Sequence, residues 1–73
     1  MTLADVPIAL ATTIRWIHAP GDTGERLMEL GLVPGAPIRV VARHGASHPM
    51  QIEVRGFRLS LRLTEAAAIE VDA

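Results

Sequence analysis

The second half of this chain alternates between apolar and polar residues, and this pattern limits the possible fold more than any other feature. Three successive segments, residues 38–43, 50–55 and 57–63, place apolar side chains at every second position. Successive side chains of a β-strand point to opposite faces, so each segment has one apolar and one largely polar face. Such strands typically form an antiparallel sheet that covers a single core. We therefore predict an all-β, or mainly β, protein.

Two further strands complete the predicted sheet. Residues 12–18 are rich in β-branched and aromatic side chains, and a last strand is expected at residues 68–71, after one helical turn at 64–67. Arg55–Gly56 predicts a tight hairpin, whereas residues 44–49 predict a looser loop. Five short strands avoid long unpaired edges if the sheet closes on itself. A small closed or partly closed barrel is the economical arrangement.

One short α-helix of about nine residues is predicted between the first two strands. Asp22 is a candidate N-cap, with Glu25 at the capping-box position and Arg26 placed for an i,i+4 ion pair with Asp22. Gly31 suits the left-handed position that follows a helix. Pro34–Gly35 has the residue types of a type II turn.

The helix and its exit carry more apolar side chains than one face of a small barrel buries. We expect Leu27 and Leu30 to face the core and Met28 and Leu32 to remain exposed as a contact patch beside the Pro-Gly turn. Burial of all four is equally compatible with a domain of this size. Trp16 lies two residues after Ile14 and therefore on the same face of the predicted strand, so we expect it to be buried.

Length and composition exclude several functional classes. The 73 residues suffice for one domain over residues 1–73, and the absence of cysteine excludes disulfides and cysteine zinc sites. Seven basic and eight acidic residues give a net charge of −1, whereas nucleic-acid-binding proteins usually have a cationic excess. No segment approaches the roughly 18 apolar residues of a membrane span, and no signal peptide is evident. We expect a soluble cytoplasmic protein with no nucleic-acid partner and no membrane insertion.

Motifs of catalysis are also missing, so we do not expect an enzyme. Ser47 precedes His48, but no acid is evident that would orient this pair. His44 and His48 flank one loop and are weak candidates for a divalent metal site. Such a metal requires three or more protein ligands, and the nearest carboxylate in sequence is Glu53. We therefore expect no cofactor beyond weak binding of a divalent metal.

Arginines occupy the outward positions of successive strands. They are Arg39, Arg43, Arg55, Arg58 and Arg62. They could form a solvated face that discourages edge-to-edge pairing, or a docking face for an acidic partner or for phosphates. We select Arg39, Arg43 and Arg58 as electrostatic support for a partner that contacts Met28 and Leu32.

Residues 26–41 contain a basic residue, a short leucine-rich helix, the sequence Leu-Gly-Leu-Val-Pro-Gly and a following strand. This combination resembles the signature of the ferrous iron transport protein A (FeoA) family. The resemblance continues through residues 49–56, 59–62 and 68–71. One departure is Ser47-His48-Pro49, since family members often have Gly-Asp-Pro in this loop.

The resemblance implies an SH3-like five-stranded barrel with one short inserted helix. It also implies a small cytosolic accessory protein of bacterial ferrous iron uptake, whose partner is the membrane transporter (FeoB) that carries a GTP-hydrolysing domain. The C-terminal SH3-like domain of iron-dependent repressors is similar, but we do not expect a free-standing repressor because no helix-turn-helix precedes Leu3. The alternative function is a stand-alone SH3-like module that binds a transition metal or nucleic acid.

Overall fold

The computed structural model describes residues 1–45 and 48–72. Its strands are β1 (Ala11–Ile17), β2 (Pro37–Ala42), β3 (Met50–Val54), β4 (Phe57–Leu61) and β5 (Ile69–Asp72). Its α-helices are α1 (Gly21–Glu29) and α2 (Leu63–Ala67), and a 3-10 turn spans Leu3–Asp5. The prediction of a mainly β protein with one helix inserted between the first two strands is confirmed.

The strands form one antiparallel sheet in the order β4-β3-β2-β1-β5. A single row of paired residues crosses four of them, from Phe57 through Val54 and Ile38 to Thr12. The molecule measures 27 × 24 × 22 Å, so the sheet has to curl around its core rather than lie flat. None of the helices in the described part of the chain is long and apolar enough to cross a membrane.

The core takes side chains from every strand and from both helices. Its buried residues are Leu3, Val6, Ile14, Leu27, Leu32, Ala36, Ile38, Val40, Met50, Ile52, Val54, Leu61, Ala66, Ile69 and Val71. In β3 the alternation predicts burial correctly, because Met50, Ile52 and Val54 all point inward. At the outer strand β4 it fails for Phe57, which is 69% exposed. Phe57 directly follows the hairpin turn and lies on β4, an edge strand of the described sheet.

The turn between β3 and β4 is the predicted tight hairpin. Arg55 and Gly56 have φ angles of 52° and 84°, and Phe57 pairs with Val54 on the other side of the turn. Positive φ at both central residues defines a type I′ turn, whose twist matches that of the flanking strands. The hairpin is therefore closed by a two-residue turn at Arg55 and Gly56.

Helix α1 begins two residues earlier than predicted. Pro20 occupies the N-cap position and makes no side-chain cap hydrogen bond, so the prediction of Asp22 as the N-cap is wrong. Gly24 is buried, and a β-carbon at this position would collide with the carbonyl oxygen of Ala19. The close approach of α1 to the preceding loop therefore requires glycine at this position.

Candidate partner-binding surface

A β-bulge in β1 turns Trp16 to the outside of the sheet. Ile14 pairs with Val71 and Trp16 pairs with Glu70, which leaves Arg15 as an extra residue. One extra residue reverses the facing of the side chains that follow it. Trp16 is consequently 57% exposed. The prediction that Trp16 is buried is wrong, because it assumes that side chains alternate between the two faces without interruption from Ile14 to Trp16.

The C-terminus of α1 ends in a Schellman motif, and this motif determines where Leu32 lies. The Leu32 N–H donates to the Leu27 carbonyl oxygen, and the Gly31 N–H donates to that of Met28, both at 3.0 Å. Gly31 adopts a φ of 95°, as this motif requires. The reversal returns Leu32 to the same core as Leu27, and both are 0% exposed. The prediction that Leu32 is an exposed contact residue is therefore wrong.

Met28 is exposed as predicted, at 54%, but Leu30 is also exposed, at 39%, and the prediction that it faces the core is wrong. Two residues along an α-helix correspond to a rotation of about 200°. Met28 and Leu30 therefore lie on opposite flanks of the buried stripe formed by Gly24 and Leu27. Met28 faces the side where Trp16 emerges from β1.

Trp16 and Met28 belong to one concave apolar surface of about 210 Å³. This apolar groove is lined by Trp16, Ile17, Met28 and Pro34. The turn that contains Pro34 is attached to β1 beside the bulge, since the Gly35 N–H donates to the Ile14 carbonyl oxygen at 2.8 Å. The groove is therefore built from a bulge, a capped helix end and a hydrogen-bonded turn, each held by backbone contacts.

Unpaired acidic residues lie along the exposed side of α1. They are Asp22, Glu25 and Glu29, and none of them forms an ion pair with another residue in the described part of the chain. Glu25 precedes Met28 by three residues, so it lies next to Met28 on the helix surface. Glu29 follows Met28 directly and is therefore rotated by about 100° from it around the helix.

The opposite flank of α1 is joined to α2. Arg26 forms an ion pair with Glu65 and not with Asp22, so the predicted i,i+4 pair is wrong. Glu65 also accepts a hydrogen bond from the Arg62 N–H at 2.8 Å, which closes the first turn of α2. Residue spacing alone could not reveal this pair, because the two helices meet only in the folded chain.

The three arginines that we select as electrostatic support for a partner, Arg39, Arg43 and Arg58, have different environments. Arg39 is 2.7 Å from Glu53, its neighbour across the β2–β3 pair. Arg43 donates to the carbonyl oxygens of Ala4 and Val6, at 3.0 and 2.9 Å, and so holds the N-terminal segment. Arg58 is exposed and has no ion pair among the described residues. Arg39 and Arg43 thus make internal contacts, and the role of Arg58 in partner binding stays a prediction.

The histidines do not assemble a metal centre within residues 1–45 and 48–72. His44 and His48 are exposed, and Ser47 lies outside the described residues. No group of three or more His, Cys, Asp or Glu side chains that could hold a metal ion occurs in those ranges. Weak metal binding at His44 and His48 therefore stays a prediction.

An ionic cluster that alternation did not indicate joins β1 to β5. His18 Nε2 is 2.9 Å from Glu70 Oε1, and Arg15 Nε is 3.4 Å from Glu70 Oε2 and 3.3 Å from Asp72 Oδ1. The hydrogen bond from His18, together with the charge of Arg15, lowers the pKa of Glu70 below its ordinary value. Arg15, the extra residue of the bulge, thus contacts two carboxylates of β5.

Solved structures that resemble this chain include iron-transport proteins and the metal-bound protein ScaR. Iron(II) transport protein A from Clostridium thermocellum is 28% identical, with a TM-score of 0.91 over 99% of this chain and 44% of that chain. The zinc complex of FeoA from Stenotrophomonas maltophilia, a procaryotic SH3 domain protein, is 33% identical, with a TM-score of 0.86 over 99% of this chain and 89% of that one. ScaR with bound Cd²⁺ is 26% identical, with a TM-score of 0.85 over 99% of this chain and 34% of the other.

These likenesses confirm the SH3-like fold that the sequence resemblance implies. The chain spans less than half of the Clostridium thermocellum and ScaR chains that it matches. No curated protein sequence matches it. The sequence model of the FeoA domain, however, matches residues 1–73. The chain therefore belongs to the FeoA family, which is associated with ferrous iron transport.

Proposed function

We propose that this chain is a non-enzymatic accessory protein of ferrous iron uptake. It acts on the cytoplasmic side by binding the membrane transporter that carries the GTP-hydrolysing domain. The apolar groove is the observation that carries this proposal, because Trp16 and Met28 remain 57% and 54% exposed while they line the same concavity. Contiguous exposed apolar surface commonly marks an interaction site, and tryptophan is enriched among the residues that dominate binding energy.

The construction of the groove favours binding without rearrangement. Its two principal side chains stand on a β-strand and on an α-helix, and the Pro34–Gly35 turn is hydrogen-bonded to the strand. A surface that is already ordered loses little conformational entropy when a partner binds. We therefore expect the groove to be formed before the partner binds, and we expect Trp16 and Met28 to make most of the contacts with the partner.

Titration of the purified protein into the detergent-solubilised transporter, followed by calorimetry, tests this proposal. The titration is repeated with the isolated GTP-hydrolysing domain, which shows where the binding site lies. Trp16 is the sole tryptophan of the chain, so its fluorescence reports directly on the groove. We expect saturable binding with a blue shift of this emission as Trp16 leaves water.

Absence of binding to both preparations, with and without nucleotide and ferrous iron, would overturn the proposal. Saturable binding without any change in Trp16 fluorescence would retain the accessory role but place the contact outside the groove. The matched variants for this test, Met28→Asp and Leu30→Asp, change exposed residues on opposite flanks of α1.

A further inference from the structure

Strand β4 lies at one edge of the sheet, and its outer side pairs with no described strand. The type I′ turn closes the β3–β4 hairpin on the pair Val54 and Phe57, which is the first hydrogen-bonded pair of the ladder. Hydrogen-bonded pairs alternate along an antiparallel ladder, so the N–H and C=O groups of Arg58 and Ser60 point away from β3. These four groups have no backbone partner among the described residues. They form a template for one more strand.

The core face of β4 is incompletely covered at this free edge. Phe57 is paired with the buried Val54, and side chains paired in this way share a face. Leu59 is paired in the same way with the buried Ile52. Phe57 is nevertheless 69% exposed, and Leu59 is only partly buried. An added strand that carries apolar side chains on this face would remove both residues from water.

The opposite, outward face of the same edge is cationic. Arg58 and Ser60 alternate with the core-facing residues, and both are exposed. Arg62, two residues further on, has extended φ and ψ angles of −68° and 152°, so it continues this row. Neither arginine forms an ion pair with a described residue. Ser60 and Arg62 also border a concavity of about 470 Å³, which leaves room beside the strand.

Carboxylates on neighbouring elements are already paired with other arginines. Glu53 faces Arg58 across the β3–β4 pair, but its Oε1 atom is 2.7 Å from Arg39 Nη2. Glu65 is paired with Arg26. A second copy of β4 would bring another cationic edge against this one, and repulsion between like charges disfavours that occupant. The charge of the edge therefore selects an acidic strand.

We propose that the free edge of β4 binds an extended acidic segment of a partner protein by strand addition. The segment pairs antiparallel to β4, as all neighbouring strands of this sheet do, and it alternates between acidic and apolar residues. Its acidic residues lie opposite Arg58 and Ser60 and bond to their backbone groups, whereas its apolar residues cover Phe57 and Leu59. This site goes beyond the proposed function, because β4 contributes no residue to the apolar groove.

Fluorescence anisotropy of a labelled synthetic peptide of about seven residues, in which Glu and Val alternate, tests the proposal. The protein is titrated from about 1 μM to about 1 mM, and we expect saturable binding that weakens as the salt concentration rises. A peptide in which Lys replaces Glu should not bind. Methylation of the Glu backbone nitrogens should abolish binding, because these N–H groups face β4 in the antiparallel arrangement, whereas methylation of the Val nitrogens should be tolerated.

Ser60→Pro and Ser60→Ala form a matched pair of protein variants. Proline removes the outward N–H and is tolerated on edge strands, whereas alanine retains this N–H. Both variants lose the hydrogen bond that Ser60 Oγ accepts from Gln51 Nε2. We expect at least about a tenfold rise in the Kd of the peptide for Ser60→Pro, and no more than about a twofold change for Ser60→Ala. Arg58→Glu, which leaves the backbone groups in place, should also raise Kd at least about tenfold.

Circular dichroism establishes which variants are folded, and Arg58→Glu keeps the test decisive if Ser60→Pro is not. A wild type that binds no Glu-Val peptide over the whole range would overturn the proposal. Equal binding of the Lys peptide, or of the peptide methylated on Glu, would do so as well, and so would an unchanged Kd for folded Arg58→Glu. No transporter is present in these measurements, so failure of this inference is distinguishable from failure of the proposed function.

Discussion

Replacing Met28 by aspartate should weaken binding of the transporter strongly and leave the fold unchanged. Met28 lines the apolar groove and is 54% exposed, so the change removes little of the native core. Leu30→Asp is the matched control, because it introduces the same charge on the same helix at a position that is 39% exposed and lies on the opposite flank.

The magnitude follows from the surface that a partner would cover. Complete burial of a methionine side chain contributes about 1.5–3 kcal/mol, so covering the exposed half contributes about 1 kcal/mol. Enclosing an aspartate carboxylate in the same apolar surface adds a penalty of about 2 kcal/mol or more. A total of about 3 kcal/mol corresponds to at least about a 100-fold rise in Kd. Leu30→Asp, an exposed substitution outside the groove, should change Kd by no more than about twofold.

Calorimetric titration of both variants into the solubilised transporter measures these two ratios. Circular dichroism and thermal unfolding of the free proteins verify that each variant is folded. If Met28→Asp and Leu30→Asp weaken binding equally, or if neither does, the groove is not the binding site and the argument from exposed apolar surface fails.

Three further predictions concern the framework that holds the groove. Leu32→Ala should lower the free energy of unfolding by about 2–5 kcal/mol in urea denaturation, because Leu32 is fully buried; a cost below 1 kcal/mol would contradict its place in the core. Gly24→Ala should lower the melting temperature, although alanine ordinarily stabilises a helix interior by about 0.5–1 kcal/mol relative to glycine, because the added β-carbon meets the Ala19 carbonyl oxygen; a higher melting temperature would show that the loop yields. Glu70→Gln should destabilise the protein slightly near pH 7. The pKa of Glu70 is lowered in the folded state, so its contribution is present above the ordinary value of 4.5 and is lost as the pH falls through the folded pKa. Urea denaturation at several pH values should show the difference between wild type and variant shrinking below pH 4.5, and a difference that grows there would contradict this sign.

Much of the architecture could be predicted because it depends on neighbouring residues. Alternation identified the strands after residue 35 to within a residue or two of their observed bounds. The positive φ angles of Arg55 and Gly56 agree with the hairpin that this pair predicts, and Gly31 occupies the left-handed position expected after the helix. These features follow from side-chain parity and from backbone sterics, which act over two to four residues.

The residues of the apolar groove could be predicted only in part. Met28 was identified as exposed, but the expected positions of Trp16, Leu30 and Leu32 were wrong. Each error arises where the regular repeat of the strand or helix is interrupted, at the bulge of β1 or at the change of chain direction after α1. The parity of a strand cannot be counted through an extra residue whose presence depends on pairing with a distant strand.

The amino-acid sequence alone therefore determined the kinds of element, their order and the FeoA resemblance, since these depend on local pattern and motif. Tertiary structure decided which apolar residues face the solvent. Pairing of β1 with β5 exposes Trp16. Leu32 is buried in the core, whereas Met28 lines the groove together with Trp16. Contacts between residues far apart in sequence make these choices, as the pair of Arg26 with Glu65 also shows. Local sequence patterns contain no information on such contacts, because these contacts form only when the chain folds.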